Sequence, residues 1–222
     1  MEQEKPKIID ANSIITQDNK LYHEFVECIS SALDARDPYT GDHSRRVSDT
    51  ATVLAKMLGL ADDEIQEIHI AAHLHDIGKI SIDDKILNKP GRLTAEEFEV
   101  IKTHSVIGAE MLNDLHNTHN YPLFDKAYEI CRWHHERYDG KGYPDGLKGE
   151  EIPISAQVTS LADVYDALTS NRCYKKAFSH EKAMEMILDG QCGAFNPVLL
   201  QCLKDCEKQI LAEFSDSIDT TQ

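Results

Sequence analysis

In the stretch AAHLHDIGK, His75 and Asp76 stand side by side at the end of a run with the apolar periodicity of a helix. Two titratable groups at a core position need a neutralising partner, and a bound cation is one. Further candidates recur at the ends and faces of other apolar segments. His43 follows a Gly/Pro turn, and His104 lies a turn and a half past a capping box. His134 and His135 stand directly ahead of a glycine-rich stretch, and Asp163 lies in the most regular amphipathic segment. One histidine alone carries little weight, but eleven in 222 residues is a high share. Neutral imidazole suits iron, manganese or zinc. A carboxylate has two oxygens and can bridge two ions. Neighbours on a helix splay by about 100°, so His75 and Asp76 can meet one ion while the aspartate reaches a second. The set fits two divalent metals inside a helical bundle, where such sites are commonly built.

The elements that would position these residues read as helices almost throughout. Tyr22, Phe25, Val26, Ile29 and Leu33 recur at three- and four-residue steps, and Pro38 and Gly41 then break the chain. Val47, Ala51, Leu54 and Leu58 mark a second helix closed by Gly59. Ile65, Ile68 and Ala72 mark a third, expected to run through the His-Asp pair and stop near Gly78. Thr94 with Glu97 forms a capping box. A further helix is expected from about Lys126 to His134, and Ile154, Val158, Leu161, Tyr165 and Leu168 form the clearest stripe. Asn196 and Pro197 are good helix-start chemistry. No alternating strand pattern stands out. The segment 138–153, YDGKGYPDGLKGEEIP, is too rich in glycine and proline for regular structure, and a loop of that length is often functional.

HDIGK, HHERYDGKGYPDGLKGEEIP and LADVYDALTSNRCYKK together resemble the HD-GYP family, a branch of the HD-domain metal phosphohydrolases. The resemblance runs from about Leu33 to Lys176. It implies an all-α HD-domain bundle with a Gly-rich GYP loop. It also implies that His43, His75, Asp76 and Asp163 surround one metal, with Asp76 bridging to a second completed by His104, His134 and His135. Iron or manganese would be the ions. Lys79 would reach a phosphate oxygen or donate a proton, so that Lys79 and Asp76 carry the catalysis. Gly142, Tyr143 and Pro144 are the namesake triplet; Tyr143 would pack beside a substrate base, and Arg172 and Lys175 would hold base and phosphate. The reaction implied is hydrolysis of cyclic di-GMP to pGpG, with GMP as a further product, by a hydroxide bridging the two metals. Another cyclic dinucleotide such as cyclic GMP-AMP, or a non-enzymatic signalling module, is the alternative.

The chain departs from the family at three positions. Cys173 replaces a proline, and His73 stands where an aliphatic residue is usual. Tyr39 occupies the place where some relatives hold a third metal through glutamate. His73 reads as structural, and the pair His69 and His73 as an alternative zinc site of low weight.

Composition bounds the rest. With 23 basic and 39 acidic residues the net charge is −16, which argues against a nucleic-acid polymer as partner. Six cysteines with no C-x-x-C pair and no secretory leader suggest reduced thiols and a cytoplasmic protein. Cys202 and Cys206 share only a weak metal-ligand spacing. No apolar run reaches the roughly 18 residues of a membrane span. The expected organisation is a tail over 1–18, an HD-GYP domain over 19–215 and a tail over 216–222. The implied partners are the cyclic dinucleotide and, since such domains also mediate contacts, a second copy or signalling proteins.

Overall fold

The computed structural model describes residues 17–36, 42–118, 121–171 and 176–211. Its helices are α1 (Gln17–Asp34), α2 (His43–Met57), α3 (Asp62–Ala72), α4 (Asp84–Leu87), α5 (Ala95–Thr118), α6 (Pro122–Trp133), α7 (Ile154–Thr169), α8 (His180–Leu188) and α9 (Pro197–Asp205). Single 3-10 turns occupy Ile77–Ser81 and Gly149–Glu151. No strand occurs among the described residues. None of the described helices is long and apolar enough to cross a membrane.

Several helix ends follow directly from side-chain chemistry. The Glu97 carboxylate accepts from Thr94 N at 2.7 Å, and Thr94 Oγ1 accepts from Glu97 N at 3.2 Å, closing the capping box of α5. Asn196 Oδ1 accepts from Val198 N at 2.9 Å ahead of Pro197. Gly59 ends α2 with φ of 75°, the left-handed region that glycine tolerates. Two expectations shift. The helix expected from Lys126 begins at Pro122, whose missing N–H costs nothing at a first helical position. α8, capped by Ser179, was not marked by the sequence pattern.

α3 is the central element. Ile65, Ile68 and Ala72 face an apolar cluster shared with α2, α7, α8 and α9. Ile70 and Ala71 face a second cluster, with Ala109 and Leu112 of α5 and Ile130 and Cys131 of α6. A helix buried on several sides has to be apolar nearly all round. Cys202 and Cys206 belong to the first cluster, where packing accounts for both.

α3 does not run on through the His-Asp pair. It ends at Ala72, and the chain tightens: Leu74 N bonds Ala71 O, His75 N bonds Ala72 O, Ile77 N bonds Leu74 O and Lys79 N bonds Asp76 O. Each bond spans three residues, the tighter 3-10 pattern. The splay of about 100° assumed for His75 and Asp76 is therefore replaced by roughly 120°, because the turn has 3.0 residues per repeat. Arg36, just beyond α1, holds the segment from outside. Its guanidinium donates to Lys79 O at 2.8 Å, Ile80 O at 2.9 Å and Ile82 O at 2.5 Å.

The turn lies flush against α5 because Gly78 has no side chain. A Cβ there would meet His104 O at 1.9 Å and Gly108 N at 2.6 Å, both backbone atoms. Gly78→Ala is therefore expected to push Asp76 away from His104. Overpacking of this kind costs about 3 kcal/mol. Urea denaturation of the variant should show a lower midpoint and reduced metal content. An unchanged midpoint would mean that the close approach is not needed.

Candidate metal centre

Five elements deliver side chains to one buried point between the two apolar clusters. α2 opens with His43, the turn after α3 supplies His75 and Asp76, and α5 supplies His104. His134 caps the C-terminal end of α6, followed by His135, and α7 carries Asp163. His43, His75, Asp76, His104 and His134 are all buried.

The ring nitrogens show which atom of each imidazole is available. His75 Nδ1 donates to Ala72 O at 2.9 Å, His104 Nδ1 to Ile101 O at 2.7 Å and His134 Nδ1 to Ile130 O at 2.8 Å. A carbonyl can only accept, so each Nδ1 carries a proton, and Nε2 is the nitrogen left to bind an ion, with His75 giving up a second proton to do so. His43 follows the same rule through a different partner, since its Nδ1 lies 2.7 Å from Asp166 Oδ2. Fixing the outward nitrogen in this way orients a ligand ring and raises its basicity.

The free nitrogens converge on Asp76 and divide between its two oxygens. His75 Nε2 lies 3.3 Å and His43 Nε2 3.9 Å from Oδ2. His104 Nε2 lies 3.3 Å and His134 Nε2 3.9 Å from Oδ1. Asp163 Oδ1 is 3.6 Å from His43 Nε2, on the Oδ2 side. Two overlapping groups of candidate donors result: His43, His75 and Asp76, and Asp76, His104, His134 and His135. Among the described residues His75 Nε2 is buried with no hydrogen-bond partner of good geometry, its nearest polar neighbour being Asp76. An orphaned imidazole nitrogen beside a carboxylate fits a divalent ion, so the residues present match the metal chemistry of HD domains.

The electrostatics point the same way. Burial opposes the charge on Asp76, but Lys79 and His75 outweigh it and hold the carboxyl well below its ordinary value. Burial also opposes a proton on His75, yet Asp76 and Asp163 overcome it and push the ring up to about 9. His134 goes the other way, down to about 3, through burial and the neighbouring His75 and His104. His135 is likewise held well below its usual range by burial and by His134.

Lys79 Nζ ion-pairs with Asp76 Oδ2. The GYP loop closes one wall: the Tyr143 ring stacks on His135 with centroids 4.6 Å apart. Gly142 allows the approach, since a Cβ there would meet Glu136 Cα at 2.3 Å. Arg172, Lys175, Cys173 and Tyr39 lie outside the described residues.

Sequence reasoning missed Asp166, its partner Arg46, and Glu136, which shape the centre. Asp166 is buried, holds His43 and accepts from Arg46 Nε at 2.5 Å. Burial works against its charge, but His43 and Arg46 keep the carboxyl well below the usual range. The D-x-x-D spacing with Asp163 was a signal, because positions three apart share a helix face. Glu136 accepts from Asp145 N at 2.7 Å and Gly146 N at 2.9 Å, shaping the GYP loop from beneath.

A family model for the HD domain matches residues 27–197. The chain belongs to the HD-domain family. This HD domain is of the HD-GYP kind, with Gly142, Tyr143 and Pro144 following its His134–His135 pair. It is 40% identical over 192 residues to a probable cyclic di-GMP phosphodiesterase of Vibrio cholerae, covering 82% of this chain and 44% of that protein. It is 39% identical to the 3'3'-cGAMP-specific phosphodiesterase 2 of the same organism, covering 85% of this chain and 35% of that protein. The HD domain thus spans less than half of either relative. Its fold is similar to that of Bd1817, an HDG"Y"P protein of Bdellovibrio bacteriovorus, with a TM-score of 0.63 at 20% identity over 90% of this chain and 65% of that one.

The opposed shifts set the pH behaviour of protein kept in chelator. His134, depressed from 6.5 to about 3, contributes stability that is complete above pH 6.5 and lost as pH falls towards 3. His75, raised from 6.5 to about 9, contributes stability that is complete below pH 6.5 and lost as pH rises through 9. Thermal melts of metal-free protein should therefore be highest close to pH 6.5 and fall on both sides. A flat profile from pH 5 to 9 would contradict the assigned protonation states.

Proposed function

We propose that this HD domain is a metal-dependent phosphodiesterase that opens cyclic di-GMP to linear pGpG, with GMP as a later product. The division of imidazoles between the two oxygens of Asp76 carries this reading. The proposed ligands are His43, His75, Asp76 and Asp163 for one ion, and Asp76, His104, His134 and His135 for the other. Two divalent cations, iron or manganese, would supply phosphoryl charge neutralisation and an acidified water when bound. The names of the relatives support the substrate class.

The side chains act as follows. Asp76 holds the site's geometry and its shared negative charge. Asp166, anchored by Arg46, keeps His43 in the tautomer whose Nε2 faces inward. Lys79, now paired with Asp76, turns towards a phosphate oxygen when substrate brings a second anion, and offers a proton to the leaving 3′-oxygen. The Tyr143 ring, backed by His135 and with Lys102 Nζ over it at 5.6 Å, would pack beside a base. Arg172 and Lys175 are proposed to hold base and phosphate on the strength of the family resemblance.

A relative named for 3'3'-cGAMP supports a mixed cyclic dinucleotide as the second candidate. Turnover of cyclic di-GMP, 3'3'-cGAMP and cyclic di-AMP, measured anaerobically with Fe(II) and then Mn(II), separates them. Asp76→Ala should abolish hydrolysis and lower metal content. Lys79→Ala should keep the metals but lose about 10²-fold or more in kcat, whereas Arg172→Ala should mainly raise KM. Full activity in Asp76→Ala, or a loaded protein that leaves all three nucleotides intact, would overturn the proposal.

A further inference from the structure

A second group of imidazoles lies between α1 and α3. His23 of α1, His69 of α3 and His73 at the end of α3 are buried, and one candidate donor nitrogen from each lies within 4.8 Å of the others. The His23 and His69 rings stack at 5.1 Å, and His73 stands edge-on to them at 5.6 and 5.8 Å. None of these residues belongs to the donor groups around Asp76. His73 and His75, two residues apart, serve different clusters because the chain turns between them.

The nitrogens facing one another have nothing else to bind. His23 Nε2, His69 Nε2 and both ring nitrogens of His73 are buried without a hydrogen-bond partner among the described residues. A buried polar atom left unpaired is unfavourable, and four in one cluster is more than packing explains. A purely structural cluster would satisfy them through hydroxyls or carbonyls.

The tautomer of His69 follows from its surroundings. Its Nδ1 lies 2.9 Å from both Ser48 Oγ and Thr52 Oγ1. Each hydroxyl has one hydrogen, and each already donates it to backbone: Ser48 to His69 O at 2.6 Å, and Thr52 to Ser48 O at 2.8 Å. Both can therefore only accept from the ring. His69 Nδ1 must carry the proton, leaving Nε2 as a bare lone pair aimed into the cluster. His23 is arranged similarly. Its Nδ1 faces Glu27 Oε2 at 3.7 Å, and its Nε2 faces inward. A carboxylate or hydroxyl behind a ring whose other nitrogen is free is the arrangement that supports a metal-ligating histidine.

The geometry points to a site for one divalent transition metal of the zinc class, held by His23, His69 and His73. Neutral imidazoles suit such an ion. Metal–nitrogen bonds of about 2.0–2.1 Å put tetrahedral donors roughly 3.3 Å apart, so small rotations of the rings close the site. The cavity beside His73 gives the ion access. Glu24, Glu27, Asp34 and Asp42 line it against the single guanidinium of Arg45, and water from it can complete the coordination. The ion ties α1 to α3 just ahead of the His-Asp pair, as Arg36 ties the end of α1 to the turn just after it.

The test uses the full chain, stripped with chelator and reloaded with Co(II) or Zn(II). Wild-type protein and Asp76→Ala should both show the strong visible absorption of tetrahedral Co(II). His23→Gln and His69→Gln should lose it and retain one equivalent of zinc fewer than wild type. Zinc should raise the melting temperature of Asp76→Ala but not that of Asp76→Ala combined with His23→Gln. If His69→Gln fails to fold, His23→Gln on the outer helix decides, with circular dichroism confirming its helices. Absence of the cobalt band in wild type, or equal zinc content in wild type and folded His23→Gln, would overturn the assignment. Loss of metal at the Asp76 centre alone would leave these readouts unchanged.

Discussion

Asp76 is a buried carboxylate with an imidazole pair on each oxygen and an ammonium at its side. Burying such a charge costs several kcal/mol unless opposite charge is brought to it. Lys79 supplies one positive charge. The remaining neighbours are imidazoles whose outward nitrogens are committed to carbonyls or to Asp166, so their Nε2 atoms face the anion, and without a metal the His75 ring, pushed up to about 9, brings a proton to it. A ring held neutral beside the carboxylate, as His134 is, adds no positive charge of its own, and a cation between the two would supply it. The fold keeps this unfavourable arrangement in place because each element that carries a ligand is fixed elsewhere by apolar packing.

That division of labour explains the architecture. The two apolar clusters meet along α3, and the centre forms where α3 stops and the chain tightens. A continuing α-helix would have set His75 and Asp76 about 100° apart rather than about 120°. The tighter turn instead lets the Gly78 backbone rest on α5 and brings Asp76 within 3.3 Å of His104. Arg36 secures the carbonyls that follow, and Asp166 secures the first ring of α2. Positions that look like ordinary surface or loop residues thus set the ångström-scale placement of the ligands.

Much of this could be read from the residues in order. Histidines at helix ends, a capping box ahead of His104 and a glycine-rich stretch after His134–His135 each leave a local mark. The structure brings His43, His75, Asp76, His104, His134, His135 and Asp163 to one place. What stayed hidden depends on which faces meet. Asp166 shares a helix face with Asp163, but its partner His43 is 123 positions away. The end of α3 at Ala72 could not be seen because Leu74 and Ile77 continue an apolar rhythm that the 3-10 turn also satisfies. His69 and His73 looked like a minor pair until α1 placed His23 against them. α8 is short, and its apolar residues Ala183, Met184 and Ile187 gave too little periodicity to stand out.

The most direct test is whether one carboxylate joins two cations. Manganese-loaded protein should give the electron paramagnetic resonance spectrum of an exchange-coupled pair, because a shared carboxylate transmits magnetic coupling between ions. Replacing Asp76 with alanine should abolish the coupling, even where some manganese remains bound. A spectrum of isolated ions alone from the fully loaded wild-type protein would contradict the account.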